Sequence, residues 1–253
     1  MLKLYNAPHS TCSQKVRICL AEKGLAFEDI RLDIGKGREH LKPEYLKLNP
    51  NGVVPTLVDG DDVIVDSSVI CEYLDEKYPA VRLTPEDPAG RARMRAWMRY
   101  LEEVPTAAVR VPSFNMAFLP RFEHLSPAQF DAEEAGPRPV RKHFYRRMGQ
   151  NGFKKEDVEA SLDQIAATCA RMNGALDKGP WLLGRFYSLA DIIVAPLIDR
   201  MADLGFSAIW VDKSPRVADW YARMTARPAF QKAFYPGTRL SEKLALTPAI
   251  KSA

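Results

Sequence analysis

Apolar and polar positions follow two different rhythms along this chain, and the change falls near residue 80. Leu2–Asn6 is a short apolar run that predicts a strand. Ser13–Lys23 places Val16, Cys19 and Leu20 on one helical face, with Gly24 as the stop. In Phe27–Ile34, Ile30, Leu32 and Ile34 alternate with Asp29, Arg31 and Asp33, the two-residue period of a half-buried strand. Val54–Val58 and Val63–Val65 flank Asp59-Gly60-Asp61-Asp62, a hairpin signal. Ser67–Tyr78 predicts a helix carrying Val69, Ile70, Tyr73 and Leu74 on one face, closed by Pro79. The order is βαβαββα.

After a Pro- and Gly-bearing stretch at 80–89 the strand signals vanish. Arg91–Glu103 is helical in composition, and Ala160–Lys178 spaces Leu162, Ile165, Cys169, Met172 and Leu176 by three and four. Ser188-Leu189-Ala190-Asp191 is a capping box opening an apolar helix, with Tyr187 and Ile192 placed as a hydrophobic staple. Pro215–Met224 is a further helix. Two domains follow: an α/β domain at 1–80 and an all-α domain at 89–253.

Composition narrows the function classes. The 253 residues are 46% hydrophobic and 27% charged, which is globular. With 36 Lys+Arg against 32 Asp+Glu, no broad cationic field points to nucleic acid. Apolar runs such as Ile192–Ile198 are far short of a membrane span, and the first residues lack the apolar core of a signal peptide. Cys12, Cys19, Cys71 and Cys169 form no CxxC pair or framework, so a reduced, cytoplasmic protein is expected. The scattered histidines predict no metal site, and no GxGxxG or GxxxxGK[ST] is present.

Ser10-Thr11-Cys12-Ser13-Gln14-Lys15-Val16-Arg17-Ile18, Leu48-Asn49-Pro50-Asn51-Gly52-Val53-Val54-Pro55-Thr56-Leu57, Asp66-Ser67 and Ser188-Leu189-Ala190-Asp191 come in the order and spacing of one family. Together they resemble the glutathione transferases, in particular the zeta- and theta-like classes. The resemblance implies a thioredoxin-like N-terminal domain, an all-α bundle and glutathione as co-substrate. It places the catalytic group at Ser10. Ser13 is the alternative hydroxyl at the same helix start, and helix capping is the competing role for both. Glutathione's thiol, with a pKa near ~8.5, needs such a donor and a helix N-terminus to persist as thiolate.

Further glutathione contacts follow from the same likeness. Pro55 matches the family's cis-proline, which lets Val54 offer its backbone to the cysteinyl part. Asp66 and Ser67 match the holders of the γ-glutamyl ammonium and carboxylate, and His40 a contact to the glycyl end. Gly52 and Ser68 depart from delta-like members, which carry histidine and arginine there. Because Ser10 and Ser13 stand where glutaredoxin-like relatives carry cysteines, disulfide exchange by that pair is excluded; Cys12 remains a weaker nucleophile candidate.

Trp97, Tyr100, Phe114, Met116, Phe118 and Phe122 are candidates for an aromatic wall, with plain core packing as the alternative for each. Arg138–Arg147 is basic and aromatic; it could attract the acidic tripeptide, but a solvated face is the favoured expectation. Residues 105–155 form a long Pro- and charge-rich insertion. Arg146–Phe153 and Leu83–Trp97 are similar to bacterial glutathione-dependent β-etherases of lignin breakdown. That likeness implies attack of the thiolate on an aromatic electrophile, with loss of a phenoxide. The other readings are a transferase, dehalogenase or isomerase acting on another small electrophile, a glutathione-dependent reductase using Cys12, and a non-catalytic binding protein. A homodimer is implied by the resemblance, with no nucleic acid or membrane partner.

Overall fold

The computed structural model describes residues 1–242, so residues 243–253 of the expected helical part lie outside the described residues. Four strands form one sheet: β1 (Leu2–Asn6), β2 (Phe27–Arg31), β3 (Thr56–Asp59) and β4 (Asp62–Val65), ordered β2-β1-β3-β4. β1 runs parallel to β2 and antiparallel to β3, and β3 is antiparallel to β4. The β3–β4 connection is a two-residue turn at Gly60-Asp61, with Asp59 opposite Asp62. Gly60 takes φ 63°, a left-handed conformation that only glycine adopts without strain.

Three helices complete this part: α1 (Thr11–Glu22), α2 (Pro43–Leu48) and α3 (Ser67–Lys77). The βαβαββα order and the helical remainder agree with expectation. Strand ends differ by a few residues. The expected Phe27–Ile34 strand stops at Arg31, where its partner β1 ends, and Val54–Pro55 precede β3 instead of opening it.

The helical part runs α4 (Pro88–Glu103), α5 (Pro105–Ala108), α6 (Arg110–Ser113), α7 (Pro127–Gln129), α8 (Lys142–Met148), α9 (Lys155–Ala175), α10 (Leu189–Asp203), α11 (Ala208–Val211), α12 (Pro215–Thr225) and α13 (Pro228–Ala233). α10 is buried almost all round, which marks a central helix. Asp191 secures its start. One carboxylate oxygen accepts from the Ser188 N–H and hydroxyl (both 3.1 Å). The other accepts from the Leu182 N–H and the Trp220 indole N–H (both 3.0 Å). Tyr187 packs its ring against Trp181 and bonds Glu22 through its hydroxyl.

α1 departs from the one-faced helix that its apolar spacing suggested. Every residue from Ser13 to Leu20 is buried, because the helix is covered by α3, α10 and α13 as well as by its own sheet. Its polar side chains are therefore bonded across to the helical part. The Lys15 ammonium meets Glu102 at 2.6 Å and Thr106 at 3.1 Å. Residues 105–155 fold as short helical pieces around their own small core of Phe122, Phe130, Tyr145, Met148 and Phe153.

Candidate active site

Ser10 ends the loop after β1 and caps α1. Its Oγ accepts from the Ser13 N–H at 3.3 Å, and its own N–H donates to Ala7 O at 3.1 Å. A hydroxyl has one proton and two lone pairs, so accepting the cap bond leaves the proton for another partner. Capping and donation to a sulfur are thus compatible at Ser10. The loop is fixed from below by Arg17, whose guanidinium donates to Asn6 Oδ1 (2.8 Å), Ala7 O (3.3 Å), Pro8 O (2.7 Å) and Ala233 O (3.2 Å). Burial pulls its pKa down to about 10, which still leaves it charged at neutral pH. Arg200 from α10 adds a 2.5 Å bond to His9 O.

Ser10 and Cys12 line a cavity between the sheet side and the insertion. Ser13 does not. Its Oγ is fully buried and accepts from the Ala7 N–H at 3.2 Å, which places it beneath the loop. Val54 lines the cavity, and the Val54–Pro55 bond is cis. Among the described residues, the Val54 N–H and C=O enter no hydrogen bond, whereas Val53 O takes the Tyr45 hydroxyl (2.6 Å) and Asn49 Nδ2 (2.9 Å). A free donor and acceptor on one residue fit an incoming peptide strand.

His40 also lines the cavity. Its Nε2 lies 3.0 Å from Arg138, while Nδ1 has no partner among the described residues. Burial, reinforced by Arg138, lowers its pKa to about 4, so the imidazole is neutral at pH 7. The Nε atoms of Arg121 and Arg138 are likewise buried without a partner. Buried polar atoms left unpaired are uncommon and suit a ligand-binding end.

Asp66 and Ser67 are not among the residues lining this cavity. Asp66 caps α3 with Oδ1, accepting from Ser68 N (2.9 Å), Val69 N (3.2 Å) and Ser68 Oγ (2.6 Å), and takes φ 72°. A non-glycine residue held there is strained, a state found disproportionately at binding sites. Asp66 lines a second depression with Glu72, Arg95 and Glu102, while Ser67 is buried behind it.

The six aromatic-wall candidates divide. Phe114 and Phe118 line the cavity, with ring centroids 5.0 Å apart. Met116 and Phe122 are core. Trp97 and Tyr100 pack beneath Arg171 of α9, where Tyr100 bonds Thr168 at 2.9 Å, and so do not reach the cavity.

Sequence reasoning weighed attraction of an acidic ligand for Arg138–Arg147 but favoured a solvated face, and it missed Arg110, Arg121 and Arg200 as lining. Arg110, Arg121, Arg138, Arg141 and Arg200 all face the cavity, and no Asp or Glu does among the described residues. The Arg138–Arg147 stretch is only half solvated. Arg146 and Arg147 pair with Asp131 and Asp157 outside, whereas Arg138, Arg141 and Tyr145 turn inward. The spacing of three and four between those inward residues was the available signal.

Comparison with known proteins agrees with this geometry. Residues 4–85 match the glutathione S-transferase N-terminal domain and residues 133–228 the C-terminal domain. Protein LigF of Sphingobium sp. strain SYK-6 is 31% identical over 94% of this chain and 95% of its own. Its crystal structure, that of a beta-etherase, superposes with a TM-score of 0.82 over 92% of this chain and 98% of its own. The tetrachloro-p-hydroquinone reductive dehalogenase of Sphingobium chlorophenolicum is 29% identical over 92% of this chain and 95% of its own. A theta class glutathione S-transferase from Xanthomonas axonopodis pv. citri, solved with glutathione bound, is 27% identical with a TM-score of 0.68, covering 94% of this chain and 98% of its own. With both domain models matched and a relative aligned over nearly its whole length, the chain belongs to the glutathione S-transferase family, whose co-substrate is glutathione.

Proposed function

We propose that the Ser10 hydroxyl donates a hydrogen bond to the glutathione sulfur, which gives its own proton to solvent and is held as thiolate, and that this thiolate attacks an aromatic electrophile lying against Phe114 and Phe118. The observation that carries this is the place of Ser10: it caps α1, its hydroxyl proton is free of the cap bond, and it shares one cavity with those two rings. The N-terminus of α1 adds about 0.3–1 kcal/mol in favour of the anion. Glutathione extends along Val54. The sheet-side segment 1–80 binds the tripeptide and 89–253 supplies the wall for the electrophile. The glycyl carboxylate falls to His40 and Arg138, the γ-glutamyl end to Asp66 and Ser67, and Ser13 serves the fold.

The electrophile is an aryl ether beside a ketone. The thiolate forms a carbon–sulfur bond, the carbon–oxygen bond breaks, and the phenoxide leaves with the electron pair and is protonated by solvent. The likeness to LigF supports this choice and a place in lignin degradation. A dehalogenase is the second reading, favoured by the 29% identical relative and by Cys12 at the cavity edge. A homodimer in the cytoplasm belongs to the same reading by family likeness, and light scattering tests the dimer. Incubating the chain and glutathione with a β-aryl ether ketone and with an aryl chloride, and measuring phenol and chloride, separates the two chemistries. Release of neither by a chain that binds glutathione contradicts both.

A further inference from the structure

Arg110 and Arg141 approach the cavity from two separate helical pieces. Each stands one turn before an aromatic residue of the same wall: Arg110 opens α6 with Phe114 four residues on, and Arg141 precedes α8 with Tyr145 four residues on. The two rings meet edge to face with centroids 5.5 Å apart. Both guanidiniums line the same cavity, and the charge of Arg141 acts on Arg110.

Neither arginine forms an ion pair among the described residues. Two other cationic side chains of the cavity have carboxylates beside them. Arg138 meets Glu134 at 2.8 Å, and Arg200 has Asp199 and Asp203 in its field. Arg110 is the least compensated: burial and then the charge of Arg141 pull its pKa down to about 10, and the groups opposing this are Cys12 and Glu102. Two like charges thus share a partly desolvated wall that no carboxylate lines among the described residues, and Glu102, the carboxylate in reach of Arg110, is already paired with Lys15, a costly arrangement unless an anion joins it.

Glutathione's own charges do not account for this pair. Under the proposed function, its glycyl carboxylate lies at His40 and Arg138, and its γ-glutamyl end lies toward Asp66. The planar forks of two arginines suit a carboxylate, which each can bind in two-point fashion. Phe114 beside them suits the ring that carries it.

We propose that Arg110 and Arg141 form an anion subsite that selects an electrophile bearing an aromatic carboxylate. This deepens the transferase reading and rests on it for the word electrophile. The binding site itself can be tested without turnover.

The probes are 4-phenoxybenzoate and its uncharged counterpart 4-phenoxybenzamide, neither of which can lose phenoxide beside a ketone. Calorimetric titration of the full chain, with and without S-methylglutathione, gives both dissociation constants. The carboxylate should bind at least about tenfold tighter than the amide, the scale of a single charge-assisted pair. The preference should shrink in Arg110→Met and in Arg141→Met, and vanish in the double variant. Thermal melts check that each variant folds, and the single variants stand if the double one does not. Equal affinities in the unaltered chain overturn the proposal. So does a preference that survives the substitutions, or a loss that is the same for both probes, which assigns the arginines to packing. S-methylglutathione binding measured alone reports separately on the transferase reading.

Discussion

The two walls of the cavity recognise by different means. On the sheet side, the groups offered are short and fixed: the Ser10 hydroxyl and the Val54 N–H and C=O. They are set by strand register, a cis bond and a helix cap, and Arg17 ties their loop down from beneath. On the helical side, the groups are long guanidiniums and aromatic rings carried by short helical pieces around a core of their own. The first wall suits a ligand whose shape does not change, the tripeptide. The second can vary its ring and charge pattern without disturbing the sheet, which is why the proposed function assigns electrophile choice to it.

Four substitutions press on that division, from the largest effect to the smallest. Asp191→Ala removes the acceptor for Leu182 N–H, Ser188 N–H and the Trp220 indole at the start of the helix against which α1 packs. Leaving such buried donors unpaired should cost about 3 kcal/mol or more in denaturant unfolding and weaken both walls together. A change below about 1 kcal/mol would mean that water replaces those bonds.

Arg17→Met should act on one wall. It strips a donor from Asn6, Ala7, Pro8 and Ala233. The expected cost is about 2–3 kcal/mol, with glutathione affinity falling about tenfold. Affinity for a bare aromatic ligand should fall much less. Equal loss for both ligands would erase the distinction between the walls.

The third test is the pH response of His40, which bridges the two. Its folded pKa of about 4 lies below the unfolded value near ~6.5. The unfolded chain therefore binds more protons between those values. The stabilising contribution is complete above the unfolded pKa and is lost as pH falls toward the folded one. In Arg138→Ala the imidazole pKa, followed by NMR, should rise because a facing positive charge is gone. An unchanged value would place the whole shift on burial.

The smallest effect is expected at Cys12. Cys12→Ala should keep turnover within about twofold, since the proposed mechanism uses a serine donor and no protein thiol. Loss of activity would favour the reductase or dehalogenase chemistry.

The same division decides what could be read from the amino acids. Strand alternation, the Asp-Gly turn, the cap at Ser10 and the capping box at Ser188 are local, so each leaves a mark within a few residues. The sheet side was accordingly legible, including the cis bond at Pro55 through family likeness. The helical wall depends on which side of a short helix faces inward. Arg110, Arg121 and Arg141 read as surface charge because an arginine gives the same signal in solvent or in a cavity. Ser13 and Ser10 likewise look equivalent in sequence. Tertiary packing separates them, since the Ala7 N–H takes the Ser13 oxygen and leaves Ser10 at the edge.

The central claim is that Ser10 holds glutathione as thiolate. It is tested most directly by titrating the thiolate absorbance of bound glutathione in the unaltered chain and in Ser10→Ala. The account predicts a bound thiol pKa below the free value near ~8.5, returning toward it in the variant with turnover at least about tenfold lower. A bound pKa that is the same in both proteins, with turnover unchanged, would contradict it.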